Sequence, residues 1–582
     1  MRLWAAVLFI VLAHAVTGGS TAFAGGLEYA GAGTQGAARG GAVAAKAEDP
    51  MVLMYNPAGL VELRGTQLLL NANLALMKAC VDPYGYYGWG TYGGGMASRL
   101  IDPKTGVPTE LMLGRGAGPA EQAYYQGALD TVCMRQGITP VPQLGFTARL
   151  SNRFGIGLGM VFPNVTPQGQ WGDDSGIIST PLGPRPAATR YMMINSGNIG
   201  IFPTLGLAYK IAEFLRIGVS VGFGVINVDN VSIAAVQVGT TPANDMLAHV
   251  RATDWFVPEA TASVHIVPFD AVDIVGGFHW QDDLNAAGTI DLTSGVYDLA
   301  KKPRTKVNQV DAVQQKFPWK AWGALRFASR LAPRSSGDGN EELKFSHGHT
   351  RHDAFQDERW DLEADVQYEM NARHTDLILT PHPGQLAEFE STMGTITTLA
   401  YPDPSMPQTI IQKRWQDQLS LRFGGSYNIL PGLFGVSAGF HYENRGVDPA
   451  YMQIDFWPVQ RMGFHGGVRF RIASFMDLSF SYAHIIQETL DVAAPLHETF
   501  QTAGMRYMQT NTVTTIDKRV GAPGTPEFMT PREEVRPAAP DGEARLTQNF
   551  AKNLPGTPPF IINAGRYRSG IDVVSVGANM HF

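Results

Sequence analysis

Apolar and polar side chains alternate over stretches of about ten positions again and again after residue 65, and a break follows each stretch. In residues 418–427, Leu419, Leu421, Phe423, Gly425 and Tyr427 fall on one face, with Gln418, Ser420, Arg422, Gly424 and Ser426 on the other. Residues 360–370 set Trp360, Leu362, Ala364, Val366, Tyr368 and Met370 against Asp361, Glu363, Asp365, Gln367 and Glu369. Residues 461–472 oppose Met462, Phe464, Val468, Phe470 and Ile472 to His465, Arg469 and Arg471. The last stretch opposes Val574, Val576, Ala578, Met580 and Phe582 to Ser575, Gly577, Asn579 and His581. A period of two is the strand period, so each stretch predicts a strand with one apolar and one polar face. A face carrying three or four carboxylates suits a watery lumen better than a dry core.

The pattern predicts strands near 66–78, 140–150, 155–163, 196–210, 215–228, 254–267, 271–290, 316–329, 357–370, 414–428, 433–445, 461–472, 476–489 and 570–582. That set is fourteen, an even number, as a closed single-chain barrel with both ends on one side requires. Short connections at 151–154, 211–214, 268–270, 430–432 and 473–475 interleave with long ones at 79–139, 164–195, 371–413 and 490–569. The charged stretch 330–356 is the exception, a long connection on the short side. The predicted fold class is all-β: a 14-stranded antiparallel transmembrane β-barrel. A soluble β-sandwich also alternates, but its strands usually run to about five or six residues.

Residues 25–65 do not alternate and are rich in Gly and Ala, a small side-chain volume that packs inside a lumen; they predict an N-terminal hatch, or plug, ahead of the barrel at 66–582. Residues 1–24 read as a signal peptide: Arg2, an apolar run from Leu3 to Val16, then Ala22-Phe23-Ala24 as an A-x-A cleavage site. Beyond it there is no run of about 18 apolar residues, which excludes a helical span. Together these place the chain in the cell outer membrane. With 45 Lys+Arg against 52 Asp+Glu among 582 residues and no basic run, nucleic acid is not a partner.

Within 25–65 stand Gly36-Ala37-Ala38-Arg39-Gly40-Gly41, Glu48-Asp49-Pro50 and Tyr55-Asn56-Pro57-Ala58-Gly59-Leu60. Near the other end stand Ser481-Tyr482-Ala483-His484-Ile485 and Asn563-Ala564-Gly565-Arg566-Tyr567-Arg568-Ser569, and the chain closes on Phe582. In these motifs the sequence resembles the FadL-like family of outer-membrane long-chain fatty acid and hydrocarbon transporters. The resemblance implies a fourteen-stranded barrel, a short hatch bearing Asn56, Pro57 and Ala58, and passive uptake of hydrophobic small molecules through a side opening. By itself Asn-Pro is an ordinary turn signal. The partners so implied are fatty acids or hydrocarbons and outer-membrane lipid, with the chain a monomer and no cofactor. Burying ten methylenes at about 0.8 kcal/mol each gives about 8 kcal/mol. Association costs of several kcal/mol leave weak to micromolar binding, which suits a conduit.

The third stretch, Gly155 to Pro163, is apolar outward and mostly glycine inward, and the fourth has Gly200 and Gly206 inward with Pro203 in its middle. Two readings stand: a lateral opening at Gly157, Gly159 and Pro163, since proline removes a ladder donor, or room made for the hatch. The family's opening also lies in its third strand. Inward cations at Arg149, Lys320, Arg326, Arg422, Arg469 and Arg471 suit either a ligand carboxylate or structural pairing with opposed acids. Cys80 and Cys133 share the first outer loop of an exported chain and predict a disulfide. His347, His349, His352 and Asp353 form a solvated cluster, and no metal is expected there. A Ser/His/Asp constellation cannot be placed from spacing alone, so the chain is not read as an enzyme. Two alternatives are a lipid-active outer-membrane enzyme and an adhesion barrel working through its long loops.

Overall fold

Fourteen antiparallel strands close on themselves in the computed structural model. Its description covers residues 31–83, 130–135, 138–161, 169–180, 183–234, 246–297, 302–331, 353–382, 409–492, 563 and 565–582, with the backbone alone of four short strands elsewhere. The strands are β1 (Thr66–Pro83), β2 (Ile138–Arg149), β3 (Phe154–Val161), β4 (Ile199–Ala212), β5 (Leu215–Ala234), β6 (Met246–Phe269) and β7 (Val272–Gln281). They continue as β8 (Lys320–Arg330), β9 (Glu358–Glu369), β10 (Gln418–Leu430), β11 (Phe434–Glu443), β12 (Arg461–Ala473), β13 (Met476–Gln487) and β14 (Gly565–His581). Each pairs with the next in chain order. The ring closes where β14 returns to β1, from Gln67 opposite His581 to Pro83 opposite Gly565.

All fourteen predicted stretches fall on these strands. One boundary needs correction: 271–290 is not a single wall strand. β7 ends at Gln281, and Leu284–Ser294 leaves the wall to pair with residues 247–253 of β6 and with Arg304–Gln315. Carboxylates hold the bend, since Asp283 accepts the Phe317 N–H at 3.2 Å and Asp254 accepts the Asn285 N–H at 2.7 Å. Alternation runs on through it, with Leu284 and Ala286 buried in a second apolar cluster, so periodicity carried no sign of the departure. Beyond Arg304–Gln315, short strands Asp376–Pro381 and Thr409–Gln412 extend this outer sheet from segments read as loops.

The outward face is an apolar belt in which Leu158, Phe223, Leu362, Phe423 and Phe464 are all more than half exposed. A closed ladder with such a belt keeps the backbone's polar groups paired within the wall while apolar side chains meet hydrocarbon, the condition for spanning a bilayer with strands. The inward face overturns one expectation. Asp361, Glu363, Asp365 and Glu369 do point into the lumen, but each is at most 4% exposed. Around Asp361, Glu363 and Asp365 the lumen is filled by cations and backbone N–H groups of residues 39–46, while Glu369 lies 3.9 Å from Lys320. At the outer end, Cys80 of β1 lies opposite Cys133 and is bonded to it, closing 53 residues of chain.

Candidate functional site in the barrel lumen

Residues 31–61 lie among the inward side chains of the wall. Three short helices, Gly33–Ala38, Val52–Tyr55 and Pro57–Val61, give the segment its shape. Arg39 is wholly buried and pairs with Asp361 at 2.6 Å and Glu363 at 2.9 Å, and it also donates to Ser426 at 2.7 Å. Lys46 reaches Asp361 at 2.8 Å. The Ala45 N–H donates to Glu363 at 2.6 Å, and those of Val43 and Ala44 donate to Asp365 at 3.2 Å. The carboxylate strip of β9 is therefore the socket into which this segment plugs. Glu48 meets Arg469 at 2.9 Å, and Arg469 meets Asp477 at 2.8 Å.

The Asn56-Pro57-Ala58 motif is a latch to β6. Asn56 is fully buried; its Nδ2 donates to the Ala44 carbonyl at 2.8 Å while Ser263 Oγ donates to its Oδ1 at 2.9 Å. The same Oγ accepts the Ala58 N–H at 2.9 Å. Behind this latch, His265 bonds Asp273 at 2.9 Å and Asp273 pairs with Arg326 at 3.0 Å. Bare glycines bring the wall against the segment: a Cβ on Gly218 would stand 2.2 Å from Ala58 N, and one on Gly155 2.6 Å from the Leu60 carbonyl oxygen. Gly157 and Gly206 are covered from inside by Leu53 and Leu60. Gly159 pairs with Gly145 and Thr204, and the described ladder is continuous at both Gly157 and Gly159. Pro163 lies outside the described residues, as do the signal-peptide residues and His347, His349 and His352.

Asp49, ahead of the first strand, is pushed up to about 6 by burial and by neighbouring Glu48, against the pull of the Met51 N–H, Arg469 and Lys46. A pKa raised in the folded state means that the docked segment holds the proton more tightly than the unfolded chain does. Its contribution is present below the ordinary aspartate value and is lost as pH rises through about 6. Docking of residues 31–61 should therefore tighten from pH 7 to pH 5. In the Asp49→Asn variant, hydrogen exchange of the segment's amides should lose that dependence.

A cavity of about 140 Å³ sits between this segment and the wall and reaches the outer ends of β7, β8, β9 and β11. Leu53, Tyr55, Phe202 and Trp322 form its apolar side; Glu259, Thr261, His279, Gln281, Glu369 and Glu443 form its polar side. Two of the six inward cations line it: Lys320, 3.9 Å from Glu369, and Arg422, 3.8 Å from Glu443 and donating to Ser420 at 3.0 Å. Arg326, Arg469 and Arg471 are engaged in ion pairs, and Arg149 bonds the turn at Ser151 and Asn152. Asp353 pairs with Arg64 at 2.9 Å and Arg471 at 2.8 Å.

The outer mouth holds a feature that sequence reasoning missed. Trp171, Met192, Met193, Ile194, Trp415, Met452, Ile454 and Trp457 of the connecting segments pack on inward Met77 and Val81 of β1, Ile485 of β13 and Tyr567 of β14. Trp171 and Trp457 stack with ring centres 6.1 Å apart, and Trp457 meets Tyr567 edge-on at 5.8 Å. The Met192-Met193-Ile194 run, apolar within a predicted outer loop, was the signal for it.

The closed wall, apolar belt and packed lumen define an outer-membrane β-barrel. No protein-family model matches the sequence, and comparison with curated proteins finds no match. Solved structures do match. A Pseudomonas aeruginosa FadL homologue aligns over 96% of this chain and 100% of its own at 14% identity, with a TM-score of 0.57. The P. putida toluene transporter TodX aligns over 95% and 99% at 12% identity, TM-score 0.52, and the Ralstonia pickettii toluene transporter TbuX over 95% and 99% at 12%, TM-score 0.50. The chain thus has the fold of the FadL-like barrels.

Proposed function

We propose that the protein is a passive outer-membrane channel for uptake of hydrophobic small molecules, with long-chain fatty acids and hydrocarbons as the candidate cargo. The observation that carries this reading is the buried Met- and Trp-rich cluster inside the outer mouth. A polar solute gains nothing there, whereas an apolar one gains about 25 cal/mol for each Å² it removes from water. The structural neighbours, a FadL homologue and toluene transporters by name, point the same way. Residues 31–61 act as the hatch, and cargo leaves sideways into the bilayer through the β3–β5 wall. Leu53 and Leu60, which cover Gly157 of β3 and Gly206 of β4 from inside, withdraw first. The driving force is partitioning, at about 0.8 kcal/mol per methylene delivered to lipid.

The test is uptake of radiolabelled toluene and oleate by cells displaying the protein in their outer membrane, with sucrose as a polar control. Faster uptake of an apolar probe and unchanged sucrose entry are expected. Apolar uptake equal to that of cells lacking the protein, or equal acceleration of sucrose, sinks the reading.

A further inference from the structure

We infer that cargo crosses the wall between β4 and β5, and that the ring of Phe202 sets what passes from the luminal cavity into lipid. This rests on the channel reading above. Pairing between β4 and β5 joins Ile201 to Val225 and resumes at Thr204 with Gly222, but lapses at Phe202 and Pro203 opposite Gly224 and Phe223. On the other side of β5, Phe223 faces Pro258 of β6. Phe223 is thus flanked by a proline on each neighbouring strand, and neither proline has an N–H to give the ladder. One step further out, the β5–β6 register shifts between Asp254 and Val257, leaving Trp255 and Phe256 as an unpaired bulge. Among the described wall seams, every other irregularity sits next to a hairpin turn or at a strand end.

The side chains on the two faces of this weak spot differ in kind. Inside, Phe202 is 2% exposed, lines the cavity, and lies over Gly224, where a Cβ would stand 2.3 Å from its ring. It also covers Gly200, 3.2 Å from that residue's Cβ position. One ring therefore seals a patch of bare backbone that lacks its ladder bonds. Outside, Phe223 stacks on Phe256 at 5.5 Å beside Trp255, which is 77% exposed. An apolar molecule that displaces the Phe202 ring meets aromatic surface on the lipid side. The β3–β4 seam next door is paired without interruption from Phe154 with Tyr209 to Val161 with Phe202. Phe202 is accordingly a specificity-determining side chain, and its bulk limits the width of what leaves.

The test locks each seam in turn. Ile201→Cys with Val225→Cys bridges β4 to β5 beside the lapse, and Leu158→Cys with Leu205→Cys bridges β3 to β4, both at directly opposed positions. Uptake of toluene is measured oxidised and after reductant, with the parent treated alike because it carries Cys80–Cys133. The oxidised 201–225 variant should fall at least tenfold and recover on reduction, while the 158–205 variant keeps the parent rate. Phe202→Ala should raise uptake of two-ring naphthalene relative to toluene, without admitting sucrose. Parent-rate uptake through an oxidised 201–225 lock, loss only in the 158–205 lock, or an unchanged naphthalene-to-toluene ratio in Phe202→Ala would overturn the inference. A parent that takes up no apolar probe removes the channel reading, and this inference with it.

Discussion

Replacing Arg39 by alanine should unseat the luminal segment and leave the barrel leaky to ions. The guanidinium is wholly buried and serves two acids of β9 at once, besides Ser426 and the Ala42 carbonyl. Removing one partner of a buried ion pair costs about 3–5 kcal/mol, because the remaining charge stays dehydrated and unmatched. Lys46 can still serve Asp361, but Glu363 keeps only the Ala45 N–H among the segment's described donors. The cheapest response is for the segment to leave and for water to enter. Planar-bilayer conductance should rise from near closed to a steady open level, while the wall keeps its heat resistance because its ladder is untouched. Arg39→Lys should fall between, since one ammonium cannot hold both carboxylates in a forked geometry. Unchanged conductance in Arg39→Ala would mean that other contacts hold the segment.

Gly218→Val should have a comparable effect from the opposite side. A Cβ there would lie 2.2 Å from Ala58 N and 2.3 Å from the Pro57 carbonyl carbon, both backbone atoms that cannot rotate away. The wall itself accommodates valine readily, as β-branched residues suit strands. The strain therefore falls on the latch: the Ala58 N–H to Ser263 bond breaks, and the Asn56 contacts loosen with it. Hydrogen exchange at the Ala58 amide should accelerate by orders of magnitude. Gly276→Val is the matched control, because a Cβ there meets nothing within 4 Å. Equal protection of Ala58 in both variants would show that the close approach does not hold the latch.

Periodicity reported the wall because a barrel strand sits between two different solvents, and that contrast is written into every second residue. It located all fourteen strands, and the inward faces read for 360–370, 418–427, 461–472 and 570–582 point inward in the structure. It could not report what occupies the lumen: Asp361, Glu363 and Asp365 read as water-facing, since partners more than 300 residues away leave no local trace. It missed the bend at Asp282 because alternation persists across it. The glycines were legible as absent side chains, but only the structure shows that Gly155, Gly157, Gly206 and Gly218 stand against Leu53 and residues 57–61. The mouth stayed hidden for a different reason. Most of its tryptophans and methionines come from separate connecting segments, each too short to carry a period.

The junction of β1 with β14 bears on how the molecule assembles. It joins residues 66–83 to residues 565–581, so the seam that completes the ring is also the contact most distant along the chain. Such pairings are slow to form, because a long loop must close before any bond rewards it. Residues 31–61 touch β9, β10, β11 and β12 as well as β4, β5 and β6. No single hairpin offers them a binding surface; a nearly complete cylinder does. A segment that precedes every barrel strand in the chain is thus among the last to find its place.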